Sequence, residues 1–365
     1  MMEEKLKTLI GSISEIDREA AEAAAQRQAG LAKPPGSLGT LESISIQLSG
    51  ITGKVINSVN HKRIIVLCAD NGVIEEGVSS SPRSVTAAQA VNMTKRKTGM
   101  SSLAKHFHND VVVVDVGIAD EYDCPEIVNR NIAKSTKNFY REPAMTREQV
   151  LEAIFVGVEQ AENAKRDGVD VLGVGEMGIG NTSTSSAVLC CLTGLSVEQV
   201  TGRGGGLTDE AFERKKNVLT HALELHKPDP ADVIDVLAKV GGLDIAAMYG
   251  VFLGAAKERI PVVIDGFISI VAALCAQRLC PLSCEYMFPS HASYEIGYMA
   301  AAKELKLEPW LLLGMRLGEG SGCPIAFEIM EAACAVMSGM ASFGEESTID
   351  DSYLDEIRKG DKFSV

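Results

Sequence analysis

Two glutamates stand where their surroundings could turn a carboxylate into a reagent. Glu319 lies between Gly318 and Gly320 in "GMRLGEGSGCP" (314–324), and Glu176 opens the turn "EMGIGNTSTSSAV" (176–188). A glutamate bracketed by glycines can be pressed into a tight pocket, where loss of water raises its pKa toward that of a useful general base. The residues after Glu176 suggest another chemistry. Glycines followed by threonines and serines that open a helix offer free backbone N–H groups and hydroxyls, the makings of a phosphate cradle. No Gly-Lys-Ser/Thr follows, and the turn after Glu176, Gly178-Ile179-Gly180-Asn181-Thr182-Ser183, is not spaced Gly-x-Gly-x-x-Gly. The pattern therefore favours a mononucleotide monophosphate over ATP or a dinucleotide. A tight turn with a Ser/Thr cap would explain the glycines but not Glu176 beside them.

Three further segments carry weaker signals. "TGRGGGLTDEAFERKK" (201–216) follows Arg203 with three glycines and ends in Lys215 and Lys216. The glycines allow close backbone approach to a ligand; the lysines either reach a phosphate or line a solvated helix face. "SHASYEIGY" (290–298) supplies Ser290 and His291. Without a Gly-x-Ser-x-Gly elbow or an evident aspartate partner, it reads as a hydrogen-bonding loop rather than a hydrolase triad. "KPPGSLGTLE" (33–42) is a shaped loop, since two prolines fix φ and the glycines free it. Cys275, Cys280, Cys284 and His291 match no compact zinc spacing, so no metal is expected.

The elements that must position these groups are legible as five aliphatic runs: 63–70, 110–117, 169–178, 261–266 and 310–320. Continuous rather than alternating apolar runs are expected of parallel strands buried on both faces. Helical segments lie between them. One starts with the capping-box pair Thr146 and Gln149, and carries Val150, Ile154, Val158 and Ala161 on one face. The alternation predicts a doubly wound, Rossmann-like parallel α/β sheet with right-handed crossovers. Ligands of such sheets sit beyond the carboxyl ends of the strands. Here those ends bring Asp70, Asp115, Glu176, Asp265 and Glu319 to one edge, although some could simply cap the following helices. Residues 1–30 and 323–342 read as helix without a following strand. They predict a small helical domain from 1–40 plus 323–365, beside a large domain over 41–322.

Bulk properties narrow the class. A net charge of −14 disfavours nucleic acid as a partner. The most apolar helix candidate, "IAAMYGVFLGAA" (245–256), is too short to span a bilayer and reads as buried, so no membrane association is expected. The N-terminus is amphipathic and charged, unlike a secretory signal, and nine scattered cysteines suit a reduced, cytoplasmic protein.

Taken together, "KPPGSLGTLE", "ADNGVIEEGVS…VT", "GEMGIGNTSTSSA", "TGRGGG…RKK", "DGFIS", "SHASYEIG" and "GMRLGEGSG" resemble, in order, the motifs of the nicotinate-nucleotide–dimethylbenzimidazole phosphoribosyltransferase family. The resemblance spans roughly residues 30 to 325 and implies a metal-free, cofactor-free transfer. The substrates would be nicotinate mononucleotide and a cobamide lower-ligand base. The base attacks C1′ of the ribose with inversion, giving an α-ribotide and nicotinate. It further implies Glu319 as general base and Glu176 as a second carboxylate near the ribose. Nucleotide contacts would fall on Gly178, Gly180, Asn181, Thr182, Gly204, Gly205, Gly206, Lys215, Ser290 and Gly314. The acceptor would lie against Ser79, Ser80, Ser81, Pro82, Gln89, Met315 and Leu317, and in the loop at 33–42 Ser37 or Leu38 would approach ligand. A homodimer is implied, or a heterodimer with a homologous subunit. The chain departs from the family with Asn71 for a common histidine, Gly205 for a threonine, and Ser81 and Arg83 around Pro82 where an aromatic often stands. Loss of an aromatic wall weakens stacking on a benzimidazole and points to a phenol or purine acceptor; a fold-retaining partner subunit is the non-catalytic alternative.

Overall fold

A computed structural model describes residues 2–344, 349 and 351–354. Four of the five aliphatic runs are strands: β1 (Lys62–Ala69), β2 (Asp110–Gly117), β4 (Val171–Met177) and β5 (Val262–Ile264), joined by two short ones, β3 (Val128–Asn129) and β6 (Met287–Pro289). The sheet runs β3-β2-β1-β4-β5-β6, and every pairing is parallel. Chain order reverses between β1 and β4. That is the switch point at which open α/β sheets form a crevice.

The fifth run departs from expectation. Residues 310–320 form no strand; Leu311 makes one isolated bridge to His291, and the rest is an irregular loop. Leu312 is 84 % exposed and Leu317 57 % exposed, so the apolar run does not belong to the core. Gly314 at φ 63° and Gly318 at φ 81° turn the chain out of β geometry. The edge place beside β5 goes to β6 instead.

The helices form as their sequences direct. Thr146 and Gln149 make the reciprocal capping box, and Val150, Ile154, Val158 and Ala161 of the helix Arg147–Arg166 are buried. The helix Leu243–Glu258, which contains the 245–256 run, is buried almost throughout and packs on Arg147–Arg166. Their backbones touch: a Cβ at Gly157 would strike the Ala247 carbonyl, and one at Gly250 the Ile154 carbonyl. Small residues at that crossing allow an apolar helix to seat between the sheet and its neighbour.

Two compact units result, Met1–Ser14 with His61–Ala326 and Glu15–Asn60 with Phe327–Val365. The 1–30 segment is two helices, Met2–Ser12 and Arg18–Gly30, and Asp17 caps the second through the Ala20 N–H at 2.9 Å. The first belongs to the large unit and packs on its helix Arg147–Arg166. The helix Thr40–Thr52 joins the small unit, with a buried bond from Gln28 Nε2 to Ser45 Oγ at 2.9 Å. The units thus divide at positions other than 40 and 322. Within the small unit, the 33–42 loop is closed by its own ends: Lys33 Nζ lies 2.6 Å from Glu42 Oε1, which also accepts the Leu38 N–H at 3.1 Å.

Candidate active site

The carboxyl ends of β4 and β5 open onto a cavity of about 250 Å³ in the large unit. Most of the residues expected to bind ligand line it: Ser79, Ser80, Ser81 and Gln89, then Glu176 at the end of β4, Gly178, Gly180, Asn181 and Thr182 after it, and Gly204, Gly205, Leu317 and Glu319. Loops and a helix start, far apart in sequence, meet because parallel strands deliver them to one edge.

Glu319 is held from two directions. Its Oε2 accepts the Met100 N–H at 3.0 Å, at the first turn of the helix Gly99–His106 that Thr98 caps. Its own N–H donates to Glu176 Oε1 at 3.3 Å. Glu319 adopts φ 66°, a left-handed conformation that costs a non-glycine residue of order 1–3 kcal/mol. Gly175 lets the loop close onto β4, since a Cβ there would strike the Glu319 carbonyl. Burial raises the Glu319 pKa, while the Met100 N–H and the Thr98 hydroxyl pull it back down.

Glu176 meets a harsher environment. It is buried, and Asn181 Nδ2 donates both to its Oε2 and, at 3.1 Å, to Asp244 Oδ2. Two carboxylates sharing one amide in a dry site cannot both hold charge comfortably. Burial, with the Asp244 and Asp265 charges adding to it, pushes Glu176 up to about 8; burial carries Asp244 to about 6. The value of about 8 favours the protonated form of Glu176 at neutral pH, whereas the rise at Glu319 is opposed by two hydrogen bonds to its carboxylate. Environments that drive two acids apart assign their roles.

Beside Glu176, the helix Asn181–Thr193 starts from Gly180 at φ 96° with no side-chain cap. Uncapped N–H groups and the helix dipole favour an anion there. Lys215 stands behind this helix start rather than in the cavity wall. It is fully buried, with Nζ 2.9 Å from Thr182 Oγ1 and 3.1 Å from the Gly202 carbonyl. Burial lowers its pKa to about 8, against the pull of Glu295. Lys216 is the lysine on the outer face, against Glu213 and the Phe212 ring.

Other expectations fall elsewhere. Pro82, Gly206, Gly314 and Met315 do not line the cavity. Arg83 turns away and pairs with Asp120 at 3.2 Å, so it is not part of an acceptor wall. Ser290 is buried with its hydroxyl 3.2 Å from the Asp265 carbonyl and 3.1 Å from His291 Nδ1. An aspartate does stand near the histidine, Asp265 Oδ1 at 3.8 Å, yet Ser290 is not presented to the cavity as a nucleophile would be. Sequence reading placed Asp265 at the strand edge but gave it no role. It passed over Phe267, Ser269, Ser293, Glu295 and Arg316 as lining residues, and Asp244 and Met100 as partners of the two glutamates. The "DGFIS" stretch was the signal for Phe267 and Ser269. Met100 and Asp244 reach the glutamates through the fold alone.

A doubly wound sheet with an uncapped helix start and paired carboxylates lining a cavity at its switch point is the frame of an α/β enzyme. The comparisons sharpen that class. The chain matches the family described as "Phosphoribosyltransferase" over residues 13–347. It is 51 % identical over 365 residues, the full length of both chains, to the nicotinate-nucleotide–dimethylbenzimidazole phosphoribosyltransferase of Clostridium perfringens. It is 49 % identical to that of Ruminiclostridium cellulolyticum over 92 % of this chain and 96 % of the relative. The crystal structure of the Thermus thermophilus enzyme of that name superposes with a TM-score of 0.85 at 34 % identity, covering 90 % of this chain and 98 % of that one. The chain belongs to the nicotinate-nucleotide–dimethylbenzimidazole phosphoribosyltransferase family, and it is a phosphoribosyl-transferring enzyme.

Proposed function

We propose that this enzyme moves the 5-phosphoribosyl group of nicotinate mononucleotide onto a lower-ligand base, with inversion, for assembly of the cobamide (vitamin B12) nucleotide loop. The observation that carries the reading is that Glu319 and Glu176 line one cavity together with an uncapped helix start backed by Lys215. The phosphate takes the N–H groups around Gly178–Thr182 and the Gly204–Gly205 turn, with Lys215 supplying charge. The in-plane lone pair of the acceptor ring's unprotonated nitrogen attacks C1′, while the N–H proton on the ring's other nitrogen passes to Glu319. The C1′–N bond to the pyridinium breaks, and its electron pair leaves with nicotinate, whose ring is then neutral. No step in this scheme calls for a metal or a cofactor.

The acceptor side favours a polar ring as a second reading. Ser79, Ser80, Ser81 and Gln89 face the cavity, and Phe267 is the aromatic among its described lining residues. Hydroxyls in place of a stacking wall suit a phenol or a purine as well as a benzimidazole. All nine cysteines are free, which supports a cytoplasmic setting. Exposed Tyr294, Ile296, Met299, Leu312 and Leu313 support a dimer.

Incubation with nicotinate mononucleotide and benzimidazole, purine and phenol acceptors tests the proposal. Free nicotinate should appear with at least one acceptor, and Glu319→Gln should cut turnover by about 10²–10⁴-fold while nucleotide affinity stays within about threefold. Absence of nicotinate with every acceptor refutes catalysis by the isolated chain and favours a heteromeric partner-subunit role.

A further inference from the structure

The loop that carries Glu319 has no ladder to hold it, and three consecutive residues, Gly318, Glu319 and Gly320, lie at φ 81°, 66° and 89°. A chain in that conformation drifts unless something outside it fixes the backbone. Asp265, just past the end of β5, is placed to do so. Its Oδ2 accepts the Gly320 N–H at 2.9 Å and its Oδ1 the Gly322 N–H at 2.6 Å. Asp265 is itself immobilised. Its N–H donates to Ser269 Oγ at 3.2 Å, and that hydroxyl donates to the Val174 carbonyl. The Asp265 carbonyl accepts from Ser290 Oγ at 3.2 Å. Asp265 is 2 % exposed, so both charge-assisted bonds work free of competing water.

We propose that Asp265 is a positioning residue, a two-pronged clamp on the Gly320 and Gly322 amides that fixes where the Glu319 carboxylate meets the acceptor. The proposal rests on the reading of Glu319 as general base, and it adds what keeps that base in register. The Asp265 carboxylate reaches across to the loop after residue 318 rather than capping the helix Phe267–Leu279 that follows it, whose cap residue is Gly266. Asparagine there has the right shape but one acceptor; its NH₂ would face a peptide N–H at one of the two prongs.

Two readouts separate the clamp from the base. Amide hydrogen exchange of the segment 316–323 should speed up about tenfold or more in Asp265→Asn, because two bonded N–H groups are loosened. Turnover should fall about 10–100-fold, as expected of an angstrom-scale misplacement, with KM for nicotinate mononucleotide within about threefold. In the Glu319→Gln background, Asp265→Asn should cost no more than about twofold further, since its effect passes through Glu319. Unchanged exchange, or a loss that multiplies with that of Glu319→Gln, overturns the clamp. A full rate in Glu319→Gln alone overturns the base and leaves the exchange result to judge the clamp by itself. Should Asp265→Asn fail to fold, Ser269→Ala removes the hydroxyl that anchors Asp265 and should give the same pattern at about threefold in turnover; unchanged exchange and rate in that variant also overturn it.

Discussion

Replacing Glu176 by glutamine should shift stability in favour of the variant progressively as pH rises. Glu176 ionises normally at 4.5 and in the fold at about 8, because burial and the Asp244 charge oppose its anion. An acid whose pKa is raised by folding stabilises the native state fully below its unfolded value, and that contribution is lost as pH climbs through the folded value. From 4.5 to about 8 the stake is ~5 kcal/mol at ~1.4 kcal/mol per pH unit. Glutamine keeps the shape and carries no charge, but its NH₂ must face either the Glu319 N–H or the Asn181 amide, a cost that does not change with pH. At pH 5 the variant and the parent should melt within a few degrees of each other. By pH 9 the parent holds a charge facing Asp244 and Asp265 that the variant lacks, and the gap should widen by roughly 10 °C at ~2 °C per kcal/mol. Thermal melts of both proteins at pH 5, 7 and 9 measure this directly. Asp244 titrates in both proteins, which is why the difference between them, and not either curve alone, is the test. Melting curves that stay parallel across that range would refute the buried-pair argument and with it the protonation assigned to Glu176.

Lys215→Met should weaken nicotinate mononucleotide binding by about 10–100-fold, the worth of a charge-assisted bond, and leave acceptor affinity alone. Parent affinity should also decline above pH 8, where the buried lysine of the empty site loses its proton, and that decline should be absent in the variant; titration calorimetry at pH 7 and 9 reads both. Size-exclusion chromatography should show a dimer, and Leu312→Glu, at a position 84 % exposed, should release monomer; a parent that elutes as a monomer removes the dimer.

What the sequence disclosed, and what it withheld, follows from how each feature is encoded. β1, β2, β4 and β5 announced themselves because a strand buried on both faces must be apolar throughout. The same rule misled at 310–320. Leu311, Leu312 and Leu313 look like a core strand, yet Leu312 and Leu313 form surface, and apolarity alone cannot say which. Three-residue β6 and two-residue β3 carry no periodic signal at all. The glutamates were legible because glycines flank one and a cradle follows the other. Their pKa values were not, since these depend on Asp244 and Met100, separated from them by 68 and 219 residues of chain. Lys215 and Lys216 are indistinguishable as letters; a helix turn of about 100° buries one under Thr182 and leaves the other outside.

The division of labour between the glutamates has a consequence for the proposed reaction. The substrate brings a pyridinium cation, and in the transition state that positive charge passes from the ring to the ribose. A fully ionised pair of glutamates at the cavity would also attract the starting cation, and that ground-state part of the attraction does not speed the step. A protonated Glu176 avoids this, and its O–H can bond to the sugar while Glu319 waits uncommitted for the acceptor proton. Asp244 thereby acts at a distance from the chemistry, because its charge helps burial keep the proton on Glu176. The Asn181 residue whose amide touches both carboxylates also begins the helix whose N-terminus is proposed to receive the phosphate. Nucleotide seating and Glu176 protonation therefore share one residue, and a shift of Asn181 on phosphate binding would alter both at once.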